Sequence, residues 1–416
     1  MAELIELKDE IEKVILVGVN TDKTEEIEAS LCELEELVMT AGAISVGQII
    51  QNREKVHPGT YLGKGKIEEL KELAWELSAT GIVCDDELTP AQLNNLRTAL
   101  DIKVMDRTLV ILDIFAKRAS TNEGKIQVEL AQLKYRVGRL TGLGLSMSRL
   151  GGGIGTRGPG EKKLEMDRRL IKERISQLGR ELSEMKRHRE VTRSKRMREQ
   201  TPIIAIVGYT NAGKSTLLNT LTAAGVLEED KLFATLDPTT KLLELPAGQQ
   251  VLITDTVGFI KKLPHHLIQA FQSTLEEAKY ADIILHVVDA SNLQREQHME
   301  TVYETLAALE VKDKTIITLF NKIDKAKHSG EMCDEKSKKT LQISAKTGLG
   351  IEAIKLEIEN VLRENKILIE RIYPYDKANL IPYIRKYGEL LEEEYQEDGI
   401  FIKAFVPMEI YEKVSF

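Results

Sequence analysis

The stretch Gly208-Tyr-Thr-Asn-Ala-Gly-Lys-Ser215 decides the fold of the chain around it. It follows the apolar run 203–207 and precedes the amphipathic segment 216–221, which predicts the order strand, glycine-rich loop, helix. The spacing fits the P-loop pattern G-x-x-x-x-G-K-[ST], in which backbone N–H groups and the helix N-terminus surround an oligophosphate. We therefore predict an α/β nucleotide-binding domain.

The side chains of this loop have distinct predicted roles. Lys214 is expected to reach the β- and γ-phosphates and the Ser215 hydroxyl to bind Mg²⁺, because a polyanion requires fixed cations and donors. The loop residues expected to contact the nucleotide are Gly208, Tyr209, Thr210, Asn211, Ala212, Gly213, Lys214 and Ser215. Which nucleotide binds is left open by this motif.

A second signal is Asp255-Thr-Val-Gly258, which follows the apolar run 250–254 about forty residues after the P-loop. Asp255 is expected to hold Mg²⁺ through water, and the Gly258 N–H to sense the γ-phosphate. Thr256 and Val257 lie between them and are predicted to contact the nucleotide as well.

The segment between these two signals is the place for a mobile loop whose threonine closes over Mg²⁺. It reads Leu232-Phe-Ala-Thr-Leu-Asp-Pro-Thr-Thr240. We choose Thr235 as that threonine, while Thr239 and Thr240 remain alternatives because spacing does not separate them. The nucleotide-contacting residues expected here are Phe233, Ala234, Thr235, Leu236 and Asp237.

The third signal, Asn321-Lys-Ile-Asp324, identifies the base. The Asp324 carboxylate can accept hydrogen bonds from guanine N1–H and the N2 amine, whereas adenine would leave it unpaired. Asn321 is expected to support the other edge of guanine and the P-loop backbone, and the Lys322 stem to cover the base. The remaining base-contacting residues are predicted to be Ile323, Ser344, Ala345 and Lys346.

These residues predict hydrolysis of GTP to GDP by in-line attack of water on the γ-phosphate, with Lys214, Thr235 and Gly258 as catalytic groups. The residue after Gly258 is Phe259, which has no hydrogen-bonding side chain to orient that water. We therefore expect slow intrinsic turnover, within roughly tenfold of ~10⁻⁴ s⁻¹.

Hydrophobic periodicity predicts four domains along the 416 residues. Residues 1–115 alternate strands and helices and predict an amino-terminal α/β domain with a parallel sheet. Residues 116–200 carry two heptad seams separated by the glycine-rich stretch 142–160, which predicts a coiled-coil helical hairpin with a flexible tip. Residues 201–363 form the GTPase domain, and residues 364–416 a small α/β domain with a helix containing Tyr383 and Leu390 between two strands.

Charge is unevenly distributed along the chain, which has a net charge of −8. Only seven acidic residues lie between Arg157 and Arg198. The cations of this second hairpin arm, together with Arg149 and Arg157 at the tip, favour contact with nucleic-acid phosphate over a merely solvated helix face. The cations of the arm are Lys162, Lys163, Arg168, Arg169, Lys172, Arg174, Arg180, Lys186, Arg187, Arg189, Arg193, Lys195, Arg196 and Arg198.

Composition excludes several other classes of protein. The three cysteines are far apart, which indicates neither a zinc site nor a disulfide framework. The chain has neither an apolar run of about 18 residues nor a signal peptide at its start, so we expect a cytoplasmic monomer without membrane insertion. The turn Gly63-Lys-Gly-Lys66 before a helix is most simply a solvated turn, although an anion or ATP site there is an alternative.

Four stretches of the sequence resemble the HflX-type ribosome-associated GTPases. They are Gly151-Gly-Gly-Ile-Gly-Thr-Arg-Gly-Pro-Gly-Glu161 ahead of Leu164-Glu-Met-Asp-Arg-Arg169, Phe233-Ala-Thr-Leu-Asp237, Asp255-Thr-Val-Gly-Phe259 and Val104-Met-Asp-Arg-Thr108. The resemblance implies that Thr235 is the Mg²⁺-linked threonine and that the partner is the large (50S) ribosomal subunit, with the hairpin tip directed at its rRNA. It also implies that the GTP form dissociates or rescues ribosomes under stress.

Other readings of the sequence remain open. Asn211 resembles the potassium-coordinating asparagine of some related GTPases, which makes K⁺ activation a hypothesis. GTPases of RNA modification or ribosome assembly could carry the same motifs. A metabolic or transport GTPase is disfavoured by the basic hairpin and by the absence of apolar spans.

Overall fold

The computed structural model describes residues 11–21, 27–148, 159–198, 201–222, 232–264, 277–326, 332–364 and 366–414. The chain divides into two compact units. The first contains Met1–Met185, Lys231–Phe233 and Lys262–Phe271, and the second contains Lys186–Asp230, Ala234–Lys261 and Gln272–Phe416. The division into four domains stays a prediction. Within the described ranges, every helix is too short or too polar to span a bilayer.

The first unit contains a four-stranded parallel sheet in the order β2-β1-β3-β4. Its strands are β1 Lys13–Asn20, β2 Ile44–Asn52, β3 Gly81–Cys84 and β4 Lys103–Asp106. The helices between and after them are α1 Ile27–Ala41, α2 Lys64–Glu76, α3 Pro90–Leu100 and α4 Arg107–Arg118. The predicted α/β fold with a parallel sheet is confirmed.

Local signals explain where these elements begin and end. The Thr89 hydroxyl accepts a hydrogen bond from the Gln92 N–H while the Gln92 side chain accepts one from the Thr89 N–H, which starts α3 with a capping box. Helix α1 buries five residues at spacings of three and four, which places its apolar face on the core. They are Ile27, Leu31, Leu34, Leu37 and Val38.

Buried ion pairs lie at the carboxyl ends of β3 and β4. Arg107, which is 1% exposed, pairs with Asp85 at 2.8 Å and also contacts Glu33. Asp85 also accepts a bond from Lys262 Nζ at 2.6 Å. Removing one member of such a buried pair leaves an uncompensated charge, so the cluster fixes the local path of the chain.

Two long helices complete the first unit, α5 Asn122–Ser148 and α6 Pro159–Arg198, and the residues of α6 after Met185 belong to the second unit. The predicted seams meet in one cluster, made of Ile126, Leu130, Leu133, Ile175, Leu178, Leu182 and Met185. The expectation that the glycine-rich stretch 142–160 cannot continue a helix was wrong at its two ends, because α5 continues to Ser148 and α6 begins at Pro159, while residues 149–158 lie outside the described residues. A helix tolerates an internal glycine at about 1 kcal/mol. The predicted tip contacts Arg149 and Arg157 lie outside the described residues.

The second unit is built on a six-stranded sheet in the order β10-β9-β8-β5-β7-β6, in which only β6 is antiparallel to its neighbour. The strands are β5 Ile203–Gly208, β6 Thr239–Glu244, β7 Gln250–Asp255, β8 Ile283–Asp289, β9 Thr315–Asn321 and β10 Lys339–Gln342. Its described helices are α7 Lys214–Thr222, α8 Arg295–Ala308 and α9 Ile351–Glu364. Parallel pairing brings the carboxyl ends of β5, β7, β8 and β9 to one edge, where ligands bind in such folds.

The end of the chain forms a three-stranded antiparallel sheet in the order β11-β13-β12. It contains β11 Lys366–Tyr373, a 3-10 helix Tyr375–Leu380, α10 Ile381–Tyr387, β12 Glu389–Gln396, β13 Gly399–Pro407 and α11 Met408–Val414. Placing Leu390 in a helix was wrong, since it lies in β12. The missed signal was the Asp398-Gly399 turn, where Gly399 has a φ of +150° and a Cβ would lie 2.4 Å from the Tyr373 carbonyl oxygen.

Candidate nucleotide-binding site

The P-loop connects β5 to α7, as the spacing predicts, and its glycines are required by close backbone approaches. A Cβ on Gly208 would lie 2.3 Å from the Val287 carbonyl oxygen, and one on Gly213 would lie 2.3 Å from Asn321 Nδ2. Gly213 also has a φ of +94°, and Asn211 a φ of +59°, in the left-handed region that glycine and asparagine tolerate best. The loop is therefore a fixed cradle of backbone groups.

Lys214 begins α7 and its ammonium is buried inside this cradle. Its Nζ donates to the Tyr209 carbonyl oxygen at 2.9 Å. Burial lowers the pKa of Lys214 to about 8, and the neighbouring Asp255 carboxylate opposes that shift. A nucleotide phosphate at this place would supply the missing negative charge.

Three oxygen ligands predicted for Mg²⁺ come together beside Lys214. The Ser215 hydroxyl lies 2.8 Å from both the Thr235 hydroxyl and Asp255 Oδ2, and Thr235 donates to the same carboxylate oxygen at 3.0 Å. The rival threonines lie in β6, where Thr240 bonds Thr254 at 2.9 Å and Thr239 pairs in register with Asp255. Within the described part of the chain, Thr235 alone of the three has a hydroxyl bonded to Ser215 and Asp255.

The donor set fits a hard divalent cation, because hydroxyl and carboxylate oxygens are the ligands that Mg²⁺ prefers. Asp255 is fully buried, and its Oδ1 has no hydrogen-bond partner among the described residues. Burial raises the pKa of Asp255 although Lys214 and two hydroxyl donors oppose the shift. A bound cation would remove this cost. Within the described ranges, His, Cys, Asp and Glu form no group of three or more that could hold a metal by themselves.

The segment after β7 packs directly on the P-loop. A Cβ on Gly258 would lie 2.8 Å from Thr210 Cγ2 and 3.0 Å from Lys214 Nζ, so only glycine fits between them. The Phe259 N–H donates to the Gly208 carbonyl oxygen at 3.1 Å, and its carbonyl oxygen accepts from the Thr210 N–H at 2.8 Å. Phe259 is 1% exposed, so its ring faces the protein interior.

The base-recognition residues are joined to the P-loop through Asn321, at the end of β9. Its Nδ2 donates to the Ala212 carbonyl oxygen and its Oδ1 accepts from the Ala345 N–H, both at 2.9 Å. The Lys322 ammonium lies 2.7 Å from the Asn211 carbonyl oxygen and 2.8 Å from Asp289. One asparagine thereby fixes the phosphate loop and the 344–346 loop in a single arrangement.

Asp324 is exposed and accepts a bond from the Ser344 hydroxyl at 2.7 Å. That hydrogen bond is the main cause that lowers the pKa of Asp324, so the carboxylate stays ionised. The acceptor that guanine recognition requires is thus exposed and already oriented by a neighbour.

The other predicted contact residues differ in burial. Thr256, Val257, Leu236 and Ala345 are buried, while Lys346 is exposed and Ala234, Asp237 and Ile323 are half-buried. Phe233 has a different place: its ring packs edge to face on Phe115, with centroids 4.7 Å apart, inside the first unit. A nucleotide contact by Phe233 stays a prediction.

Sequence reasoning missed a group of residues around Tyr209. The Tyr209 ring stacks on His298 of α8, with centroids 3.7 Å apart and planes 2° apart, and its hydroxyl accepts from the Lys261 N–H at 2.8 Å. The histidine lies 89 residues after the tyrosine, a separation at which no spacing rule predicts contact.

Comparison with known proteins supports the same grouping of motifs. Three family models match: "GTP-binding GTPase N-terminal" over residues 28–116, "GTP-binding GTPase Middle Region" over 118–196 and "50S ribosome-binding GTPase" over 203–322. The "GTPase HflX" of Lacrimispora saccharolytica is 66% identical over 415 residues, which is 100% of this chain and 98% of the relative. The "GTPase HflX" of Escherichia coli K12 is 40% identical, and the match covers 82% of this chain and 80% of that relative.

Among solved structures, the complex of SsGBP with GDP matches with a TM-score of 0.48 and 25% identity. The match covers 85% of this chain and 99% of the other.

Proposed function

We propose, from the premise that the chain belongs to the HflX family of GTPases, that its GTP-bound form acts on the large ribosomal subunit in the cytoplasm. There it would dissociate or rescue ribosomes under stress. The chain is a GTPase, and what the proposal adds is the partner and the task. The observation that carries it is the cationic helix α6 on an otherwise acidic chain.

The cations of α6 suit the phosphates of a folded RNA. Arg168, Arg169, Lys172 and Arg180 are exposed and line one shallow groove on the helix, together with Glu165 and Glu173. Neutralising phosphate with lysine and arginine releases counterions, which gives sequence-independent affinity. The model that matches the GTPase region is described as "50S ribosome-binding", in agreement with this choice of RNA.

Each residue of the site would have a distinct role in GTP hydrolysis. Lys214 and the P-loop N–H groups hold the β- and γ-phosphates and stabilise the charge that develops as water attacks in line. The Gly258 N–H contacts the γ-phosphate, and Asn321 and Asp324 select guanine. Ser215, Thr235 and, through water, Asp255 would hold Mg²⁺, which supplies charge stabilisation at the phosphates.

Two further properties belong to this proposal. Phe259 is buried, so the attacking water has no side-chain partner at that position, and turnover without the ribosome is expected to be slow. Asn211, in the left-handed conformation, is the residue that would contact K⁺ if the enzyme is potassium-activated. Equal GTPase rates in KCl and NaCl would remove the potassium hypothesis.

Sedimentation tests the central proposal. Ribosomes are mixed with the protein and a non-hydrolysable GTP analogue, and we expect the protein to sediment with large subunits while intact ribosomes decrease. The double variant Arg168→Glu and Arg169→Glu should lose cosedimentation while keeping GDP affinity. Arg385→Glu, an exposed arginine near the carboxyl end, is the matched control. Intact ribosomes and unbound protein would overturn the proposal, and crosslinking of α6 to tRNA alone would favour RNA modification.

A further inference from the structure

The backbone of Tyr209 belongs to the phosphate cradle, but the stacked side chains of Tyr209 and His298 have no role in the functions assigned above. A P-loop contacts phosphate through its backbone and its lysine, so the Tyr209 side chain can serve another task. Tyr209 is 5% exposed, and its ring lies flat on the His298 imidazole. A buried phenol needs a partner for its hydroxyl, and the identity of that partner shows what the pair does.

That partner is the segment that carries the γ-phosphate sensor. Tyr209 Oη accepts from the Lys261 N–H at 2.8 Å, three residues after Gly258. Together with the two backbone bonds of Phe259 to Gly208 and Thr210, this makes three hydrogen bonds that hold residues 259–261 on the P-loop. Two come from the backbone, and the third depends on the side chain at position 209.

These three bonds restrict the chain on the carboxyl-terminal side of Gly258. On its amino-terminal side, the Thr256 hydroxyl donates to the Ile206 carbonyl oxygen at 2.7 Å. Gly258 therefore lies between two hydrogen-bonded segments, and it packs closely against Thr210 and Lys214. In this same arrangement Thr235, Ser215 and Asp255 are in contact, so the held segment accompanies a closed set of metal ligands.

Helix α8 contacts the Tyr209 ring through His298. His298 presents a ring face to Tyr209, and the preceding Gln297 accepts a bond from Lys261 Nζ at 2.5 Å. Burial and the nearby Lys261 lower the pKa of His298 to about 4, so the ring is neutral at physiological pH. A neutral ring stacks without placing a second cation beside Lys261.

We propose that Tyr209 is a positioning residue for GTP hydrolysis, whose hydroxyl, with the ring backed by His298, holds the Lys261 N–H and so keeps Gly258 at the γ-phosphate. Release of this bond frees one end of the sensor while the phosphate cradle and the base pocket stay intact. The consequence is a loss of turnover that is separate from nucleotide affinity.

Steady-state GTP hydrolysis and GDP binding test this on the full chain with Mg²⁺. Tyr209→Phe keeps the stacked ring and removes the acceptor, and we expect kcat to fall about five- to tenfold, the effect of one hydrogen bond. KM for GTP and Kd for GDP should stay within about twofold. His298→Ala should give the same pattern, and His298→Phe, which restores a flat ring, should recover most of the rate.

Tyr303→Phe is the matched control, because it removes another phenol bond from α8, the one from Tyr303 to Asp334. Its kcat should equal that of the unmodified chain. The proposal is overturned if Tyr209→Phe has an unchanged kcat, if GDP affinity falls as much as kcat does, or if Tyr303→Phe is equally slow. The last two results would indicate a general structural role for the tyrosine.

Discussion

The Lys214 ammonium is buried, and burial disfavours its charged form. The residue is 7% exposed, and Asp255 and one carbonyl oxygen offset only part of the cost of burying its ammonium. The free site is therefore electrostatically incomplete, and a bound polyphosphate completes it. Asp324 is the opposite case, because its carboxylate is exposed and one hydrogen bond from the Ser344 hydroxyl stabilises its charge.

The pH dependence of GDP binding follows from Lys214. Its pKa is about 8 in the free protein, and a bound diphosphate raises it, so binding takes up a proton. In EDTA, we expect Kd for GDP to rise up to about tenfold from pH 7 to pH 9, because the free protein loses its proton first. Fluorescence titration measures this, and calorimetry in two buffers at pH 8 should show proton uptake. A Kd independent of pH would contradict the argument.

We predict that Asp324 selects guanine. Asp324→Asn removes the acceptor for guanine N1–H and N2, and we expect GTP affinity to fall roughly a hundredfold because two charge-assisted bonds are lost. Xanthosine triphosphate, which offers an oxygen at position 2, should bind better to the variant than GTP does. Competition against labelled GDP measures both. Any ATP turnover from the Gly63–Lys66 region should survive, and its loss would rule out a separate ATP site.

At the scale of elements, the hairpin helices are held together by a narrow apolar seam. Leu178 is fully buried against Ile126 and Leu130, while charged residues surround the seam. Arg174 and Glu129 bridge the same helices at 2.8 Å, but water and salt screen an exposed ion pair, so it contributes little to stability. The apolar contacts therefore carry the pairing.

Leu178→Ala tests this seam. We expect it to reduce the stability of the helix pair by about 2–4 kcal/mol, through lost transfer energy and the cavity left behind. Hydrogen exchange of amides in α6 reads out the local effect. Leu170→Ala on the same helix, where the residue is 58% exposed, should change protection by less than about 0.5 kcal/mol. Equal effects at both positions would show that the seam does not hold the helices.

At the scale of the whole molecule, a buried histidine makes the stability of the second unit sensitive to acid pH. His286 in β8 is 1% exposed and its Nδ1 has no hydrogen-bond partner among the described residues. Burial lowers the pKa of His286 to about 4, and Asp334 opposes the shift. The unfolded chain protonates this histidine near its ordinary pKa of about 6.5, well before the folded chain does.

Stability should therefore fall as pH decreases from about 6.5 towards 4. The loss from His286 alone is up to roughly 3 kcal/mol, since each pKa unit corresponds to about 1.4 kcal/mol. Thermal unfolding followed by circular dichroism between pH 7 and 4.5 measures it. His286→Asn should flatten the dependence. A decline that persists in His286→Asn would assign the acid sensitivity to other groups.

Local sequence signals were enough to predict most of the helices and strands and the order of the motifs. Apolar periodicity and the glycine, proline and capping residues act within a few positions, so β5, the P-loop and the seams of α5 and α6 could be predicted locally. The failures were local as well, at the glycines before Ser148 and at Leu390, where a tolerated glycine and an overlooked turn misled the assignment.

The contacts between distant residues followed from the packing of the fold and not from local spacing. Three threonines suit the loop before β7, and the chain path brings the Thr235 hydroxyl to Ser215 and Asp255, while Thr239 and Thr240 lie in β6 and pair with β7. The Tyr209–His298 stack is of the same kind. Contacts across tens of residues depend on how whole strands pair and pack, which no local spacing encodes.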